Sequence, residues 1–473
     1  MADNGGGHAA GMAANGAAEN GGDPDNAPAA AAANGGNPAV VPAAAAPNGG
    51  NDAPAHAVAA VHGAAMGYGG AVAPALQLIP EAALYQVLLR MPAAMVARFR
   101  ASSRRWRHLT STENFRVAHY LSRSGCPMPL FFYRLDHQAA PPDDDRVRIH
   151  LHAVDTSRRE SFELMRFARL DLGIPIANPH VFQVVGSCDG ILLLSYNDRL
   201  YACNPCTRRW ARLPALHHLG DIVAFYPTGE LDDREYRVLY HTGGHDADCS
   251  YWILSFPGNA ARDIGRPADN LALDAVLARG IYRSFEMPAV LVRECLHWKH
   301  RFNSRLLVFD PADELFRWMR PPRVFDDDRW VQVEGDQLLE INGTLAMIVT
   351  DPLSVAVWVL QDYEREIWVF EYRIELPVAA IDDNRGYDYE SELSAIVFVV
   401  SQDQERNVLV QCTHALLRSD AIGTLLQTYQ LAGHSTILSA YMLQENLLLH
   451  AFLPLGPGDA GDGDPPFFRA PVL

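Results

Sequence analysis

Residues 78–109 read LIPEAALYQVLLRMPAAMVARFRASSRRWRHL. Apolar side chains at Leu84, Val87, Leu88 and Met91 recur at i, i+3, i+4 and i+7, which places them on one face of a helix. Pro92 stops this helix, and its fixed φ angle suits the first turn of a following helix. The stretch therefore predicts a helix over Glu81–Leu89 and a second helix that starts at Pro92.

The same helical period continues for another two dozen residues. Its apolar positions are Met95, Val96, Phe99, Trp106 and Leu109. Ser111 or Thr112 can cap a last turn that leads to Phe115. Three or four short helices form a hydrophobic core that is too small to be stable alone, so this unit is expected to need a partner.

From about Pro129 the pattern changes to short β-strands separated by turn residues. Leu271–Ala278 is the one candidate helix in this region. The clearest strands are Ile191–Leu194 with Leu200–Cys203, Leu306–Phe309 with Leu315–Trp318, Val355–Leu360 with Ile367–Tyr372, Ala395–Val400 with Val408–Gln411, and the strand-rich stretch Ile437–Leu449.

These strands form a loose repeat of a hairpin, a strand with an aromatic residue and a proline exit. One unit ends at Leu213-Pro214, a later one at Pro321 and another at Leu376-Pro377. The interval is on the order of 50 residues, which is the period of kelch-like β-propellers. We therefore predict an α+β multidomain chain, with a small all-α domain followed by an all-β propeller-like domain of about six blades.

Composition divides the chain into four parts. Residues 1–75 consist mainly of Ala, Gly, Asn and Pro, lack Leu, Ile, Phe and Trp, and are expected to be disordered. Residues 76–121 form the helical domain and residues 129–455 the β domain. Residues 456–473 are expected to be a flexible tail.

Charge and cysteine content narrow the class of protein. The formal net charge of -17 argues against a nucleic-acid clamp, which presents a basic surface, and against binding to acidic membranes. No apolar run reaches the roughly 18 residues of a membrane span. Seven dispersed cysteines are not a disulfide framework, so we expect a reducing compartment, the nucleus or the cytoplasm.

The cations are almost all arginine, and Lys299 is the only lysine. Codon bias is one explanation, because Ala, Gly, Pro and Arg share G/C-rich codons. A selected shortage of acceptor amines is another, and the two are compatible.

The sequence offers no convincing catalytic, cofactor or metal motif. Cys203-x-x-Cys206 has metal-ligand spacing, but a zinc site needs a second pair. The loop with His241, His245 and Cys249 is irregular and Gly-rich. Paired carboxylates, a nucleophile elbow and phosphate-binding loops are not convincing either. We therefore expect no catalysis, no cofactor and no bound metal.

The helical stretch resembles an F-box, the unit that docks on Skp-family linker proteins. Ile79 stands where Leu is commoner, and Ala101-Ser102-Ser103 replaces the usual apolar and Cys positions. The five arginines from Arg98 to Arg107 are interpreted as a solvated face or as contacts to an acidic linker. The resemblance implies linker-binding or hook-core roles for Leu78, Ile79, Pro80, Leu84, Val87, Leu88, Met91, Pro92, Met95, Val96, Phe99, Trp106 and Leu109.

The β region resembles the F-box-associated domain of the large plant F-box families. The likeness is carried by residues 185–192, 203–214 and 295–298 and by an expected strand at Leu447–Phe452. Gly186 and Gly190 are interpreted as turn glycines, and Asn204-Pro205 as a hairpin corner. Trp210 and Leu213 are expected to fill space between blades.

Together these resemblances imply a non-catalytic substrate adaptor of a Skp–cullin–F-box ubiquitin ligase. Its partners would be a Skp-family linker, a cullin reached through that linker, and a target protein bound by the propeller. Two alternatives stay open: a Skp-bound scaffold outside a cullin ligase, and a propeller binding module or enzyme with a vestigial hook. The helices could also pack on the propeller alone.

Overall fold

The computed structural model describes most of the chain between residues 80 and 456. The described ranges are 80–123, 128–135, 148–155, 160–167, 182–196, 199–216, 220–243, 249–258, 260–281, 288–299, 305–322, 337–351, 353–384, 397–401, 406–412, 415–430 and 436–456. The predicted tails, 1–75 and 456–473, lie outside these residues except for Gly456.

Four helices open the described chain. They are α1 (Glu81–Leu89), α2 (Ala93–Ser102), α3 (Arg104–Ser111) and α4 (Glu113–Arg123). Pro92 precedes α2, and the Thr112 hydroxyl accepts the Phe115 N–H at 3.3 Å, so both predicted helix starts are confirmed. Two helices occur later, α5 (Leu271–Leu277) and α6 (Val378–Asp383), with a 3-10 turn at Leu231–Asp233.

The described strands form six four-stranded antiparallel sheets, the blades of a β-propeller. Blade 1 contains β24 (Thr436–Leu443), β1 (Met128–Leu135), β2 (Arg148–Asp155) and β3 (Glu160–Phe167); blade 2 contains β4 (Phe182–Cys188), β5 (Ile191–Tyr196), β6 (Arg199–Asn204) and β7 (Arg209–Arg212); blade 3 contains β8 (Gly220–Thr228), β9 (Glu235–Thr242), β10 (Ser250–Phe256) and β11 (Ala260–Gly265).

The second half of the propeller repeats this plan. Blade 4 contains β12 (Val290–Val292), β13 (Cys295–Lys299), β14 (Leu306–Asp310) and β15 (Leu315–Met319); blade 5 contains β16 (Gln337–Ile341), β17 (Thr344–Thr350), β18 (Ser354–Asp362) and β19 (Ile367–Glu375); blade 6 contains β20 (Val397–Ser401), β21 (Arg406–Gln411), β22 (Ala415–Ser419) and β23 (Leu425–Gln430). The predicted count of about six blades is confirmed.

Blade 1 closes the ring with strands from both ends of the β region. β24 pairs antiparallel with β1, with Leu130 opposite Ser439. The innermost strands of neighbouring blades then contact each other, β24 with β4 and β4 with β8. This radial arrangement leaves only short inner edges, which neighbouring blades protect from edge-to-edge pairing.

The core lies between the blades rather than in one central mass. Trp210 packs between blades 1 and 2, and Leu213 packs between blades 2 and 3, as predicted. Interior strands such as β5 and β17 are buried on both faces and are therefore apolar runs, whereas the outer strand β19 is largely exposed.

The proline exits of the repeat join each outer strand to the next blade. The Pro267 carbonyl after β11 accepts the Phe316 N–H of blade 4 at 2.8 Å. The Arg320 carbonyl after β15 accepts the Trp368 indole N–H of blade 5 at 2.8 Å. The Glu375 N–H at the end of β19 donates to the Ala421 carbonyl of blade 6 at 3.1 Å.

Two predictions about the β region are wrong. Gly186 is not in a turn but within β4, where an added Cβ would lie 2.6 Å from the Phe225 Cβ, so it permits close packing of blades 2 and 3. The strand expected at Leu447–Phe452 is absent from the described chain, because β24 ends at Leu443 and the chain then leaves the sheet. Within the described residues, no helix is long and apolar enough to cross a membrane.

Candidate functional site

The candidate site is the helical segment, residues 80–123, together with the face of the propeller that it covers. Its core is formed by one face of each helix and includes Phe115, which is fully buried. Tyr85 meets the Phe115 ring edge-on at 5.4 Å, and Phe99 packs against Trp106 at 4.2 Å between ring centroids. These aromatic pairs set the angles between the short helices.

The thirteen residues with predicted linker-binding or hook-core roles fall into four groups. Leu78 and Ile79 lie outside the described residues, and Pro80 is exposed at the start of α1. Val87, Met95 and Phe99 are half-buried at the rim of the helical core. The remaining positions are buried: Leu84, Leu88, Met91, Pro92, Val96, Trp106 and Leu109. Only the exposed and half-buried side chains are therefore open to a partner without unfolding the helices.

Side chains of α4 cap the end of α1. The His119 ring nitrogen Nε2 lies 2.8 Å from the Met91 carbonyl, and the Ser122 hydroxyl donates to the Leu89 carbonyl at 2.9 Å. These contacts satisfy carbonyls that have no partner inside the helix. Burial lowers the pKa of His119, so the ring is held neutral near pH 7.

Glu445 fastens the helices to the chain that follows the last strand. Its Oε1 accepts the Ala93 N–H at 3.0 Å, at the positive end of α2, and its Oε2 lies 2.9 Å from the Arg123 guanidinium. The carboxylate is almost fully buried, and this burial raises its pKa against the opposing effect of Arg123. It therefore joins two helices to the propeller at once.

Asp189 forms a second anchor at the turn between β4 and β5. The Tyr120 hydroxyl donates to its Oδ1 at 2.6 Å, and Arg234, from the connection between β8 and β9, lies 2.7 Å from its Oδ2. Burial and the Asp189 charge raise the pKa of Tyr120, which keeps the phenol protonated as a donor. One carboxylate thus ties α4 to blades 2 and 3.

The segment after β24 crosses the same face and fills the space between the anchors. Leu447 enters the helical core, beside the half-buried Cys206. The Asn204 side chain donates to the Asn446 carbonyl at 3.0 Å and accepts the Cys206 N–H at 2.9 Å, so the predicted hairpin corner is confirmed. Gly190 has a φ of +76°, which fits the turn predicted for it, and it lies against Gln444.

These contacts define two faces of the propeller. The helix face carries the turns 189–190, 205–208 and 229–234, which touch or flank the helices. The opposite face carries the other ends of the strands, including the starts of connections between blades at 266–281, 320–322 and 376–384. The Cys249 N–H donates to the Ala278 carbonyl at 3.0 Å, which joins two of the connections on the opposite face. The described parts of these connections between blades are thus on the side away from the helices.

The thiols near the helix face are poor nucleophiles. Burial raises the pKa of Cys206 to about 12 and that of Cys203 further still, so thiolate is scarce at neutral pH. Within the described ranges no group of three His, Cys, Asp or Glu side chains has the arrangement of a metal site.

Sequence reasoning did not identify Glu445, Asp189 or Arg234 as part of the site. Glu445 lies 352 residues from Ala93 along the chain, so local periodicity carries no information on that contact. One signal was present in the sequence: Glu445 is the only charged residue between Ile437 and Leu449.

Comparison with known proteins relates the chain to plant F-box proteins. No family model matches the sequence. F-box protein At3g07870 of Arabidopsis thaliana is 25% identical over 330 residues, which cover 65% of this chain and 75% of the relative. F-box protein At1g30790 of the same plant is 23% identical over 336 residues, covering 66% and 78%.

Solved structures resemble the chain only loosely. TolB from Acinetobacter baumannii superposes with a TM-score of 0.37 and 9% identity, covering 69% of this chain and 72% of TolB. The six sheets of this chain, rather than that overlap, define its fold.

Proposed function

We propose that this chain, a relative of the plant F-box proteins with a six-bladed β-propeller, is the substrate receptor of a Skp–cullin–F-box ubiquitin ligase. Residues 76–121 would act as the F-box and residues 129–455 as the substrate-recognition domain. The chain would itself catalyse no step. In this role it would work in the nucleus or the cytoplasm.

One observation carries the proposal: the helical unit is fixed on one face of the propeller, and the opposite face, where the outer strands end, points away from it. Glu445 and Asp189 make this junction through buried or half-buried charged contacts. A rigid junction would hold a target at a constant position relative to the linker and the cullin. Acceleration would then come from proximity, because a bound target and a charged conjugating enzyme react as if within one molecule.

The accessible part of the helical unit would receive the Skp-family linker. Val87, Met95 and Phe99 keep part of their apolar surface in solvent, and Pro80 is exposed at the start of α1. Partly exposed apolar side chains on a pair of helices suit a helix-in-groove contact. The buried positions, such as Leu84 and Leu88, would act indirectly by giving the helices their shape.

The target protein would bind the opposite face. Exposed arginines lie there, among them Arg199 beside the β5–β6 connection, Arg279 after α5 and Arg305 before β14. These arginines place positive charges on this face of a chain whose net charge is -17.

Assembly with purified partners tests the proposal. The chain is mixed with a Skp-family protein and a cullin–RING scaffold, and complexes are separated by size-exclusion chromatography. We expect one complex that contains all components, and we expect the cullin to join only when the Skp-family protein is present. A control with another F-box protein shows that both partners are competent to assemble. If the folded chain then elutes alone, the proposal is refuted.

A further inference from the structure

We propose that Lys299 is the only side-chain site at which this receptor can be ubiquitinated through lysine, and that the receptor is therefore a poor acceptor of its own ligase activity. The inference rests on the proposed function. It adds a consequence for regulation: the lifetime of the receptor would depend little on the number of ubiquitin transfers that the receptor supports.

The chemistry of transfer requires an amine. The lysine nitrogen attacks the carbonyl carbon of the ubiquitin thioester, an isopeptide C–N bond forms and the C–S bond breaks. The thiolate leaves on the conjugating enzyme, and the amine proton passes to solvent. Arginine cannot replace lysine here, because its guanidinium keeps its proton at every relevant pH and its nitrogen lone pairs are delocalised.

The sequence has 39 Lys and Arg residues, and a single one of these is lysine. A receptor holds its target near a charged conjugating enzyme, so exposed cations on the opposite face would be the first acceptors within reach. Arg199, Arg279 and Arg305 are exposed cations of this face, and each carries a guanidinium group in place of an amine. Codon bias would account for the origin of these arginines, but it does not change what they can react with.

Lys299 itself is the last residue of β13, where that strand reaches the opposite face. It pairs with Leu306 across the sheet and follows the buried Trp298. Its side chain is half-buried and it makes a further interaction within the chain. The one lysine amine therefore lies on the face proposed for the target but is less exposed than Arg199, Arg279 and Arg305.

The test compares three full-length chains: wild type, Lys299→Arg, and a variant in which Arg199, Arg279 and Arg305 are all changed to lysine. The last variant keeps the net charge. Each chain is assayed in the reconstituted ligase and, separately, fused to a RING domain that recruits the charged conjugating enzyme directly. Isopeptide-linked ubiquitin on the chain is measured after hydroxylamine treatment, which removes ester-linked ubiquitin, and modified lysines are located by mass spectrometry.

We expect weak modification of wild type at Lys299 alone, its loss in Lys299→Arg, and a several-fold gain in the triple-lysine variant. Wild type modified as strongly as the triple-lysine variant would overturn the inference. So would lysine-type linkage that persists in Lys299→Arg at a site other than the chain's α-amino group. If the unfused chains fail to assemble with Skp-family protein and cullin, the proposed function fails, while the fused chains still decide how well the receptor accepts ubiquitin.

Discussion

Replacement of Glu445 by alanine should release the helical unit from the propeller. The change removes the acceptor of the Ala93 N–H, 3.0 Å away, and the ion-pair partner of Arg123, 2.9 Å away. Both contacts join residues of the helices to the segment after β24. Among the described residues, the Glu445 side chain makes no other polar contact of comparable strength.

The size of the effect follows from burial. A buried N–H left without an acceptor costs about 1–3 kcal/mol. Loss of one member of a buried ion pair costs about 3–5 kcal/mol, but the Arg123 side chain is 16% exposed and can turn toward water. The raised pKa of Glu445 also shows that desolvation already offsets part of the pairing. We therefore expect Glu445→Ala to cost about 2–4 kcal/mol, and Glu445→Gln, which keeps an acceptor, about 1–2 kcal/mol.

Hydrogen exchange measures this loss at the level of single segments. Amides of residues 81–123 should lose protection in Glu445→Ala, while those of the inner propeller strands should keep it. Glu235→Gln is the matched control, because it removes a carboxylate 3.6 Å from Arg237 that is 54% exposed and should cost under about 0.5 kcal/mol. Equal protection of the helices in Glu445→Ala and in the control would refute the account of the junction.

Two further predictions concern the propeller. Gly186→Ala should lower the unfolding free energy by about 1–3 kcal/mol in a denaturant titration, because the added Cβ would lie 2.6 Å from the Phe225 side chain. Gly258→Ala is the control, because nothing lies within 4 Å of its added Cβ. Equal denaturation midpoints for the two variants would contradict the expectation. Burial lowers the pKa of His297 from 6.5 to about 4, so only the unfolded chain takes up this proton between those values. Stability should therefore fall as pH drops from 6.5 to 4, by roughly 2–3 kcal/mol more in wild type than in His297→Gln, and parallel pH profiles would exclude that role.

Local pattern was enough to predict most of the fold. The bounds of α1 follow from Glu81 and the proline at position 92, and the blade hairpins follow from short apolar runs around turn residues such as Asn204. These features depend on neighbours within a few residues, which periodicity and turn chemistry report directly. The count of about six blades followed from the spacing of the repeat.

Long-range contacts explain what the sequence did not predict. Gly186 was interpreted as a turn residue because a glycine required by a neighbouring blade looks the same in sequence as one required by a turn. The stretch Leu447–Phe452 has the composition of a strand, but its backbone follows the helix face, and Leu447 fills the helical core. Leu84 and Leu88, predicted to have linker-binding or hook-core roles, are buried in the helical core; one apolar helix face cannot show in advance which of these positions a partner covers.

Affinity for a purified Skp-family protein tests the central claim most directly. Titration calorimetry would compare wild type with a Val87→Asp, Met95→Asp double variant, whose changes lie at the half-buried rim of the helices, and with Leu271→Asp on the 89%-exposed start of α5. We predict saturable binding by wild type and Leu271→Asp, and loss of binding by the double variant while its circular dichroism and propeller unfolding stay unchanged. Absence of binding by the folded wild-type chain, or equal binding by all three, would contradict the account.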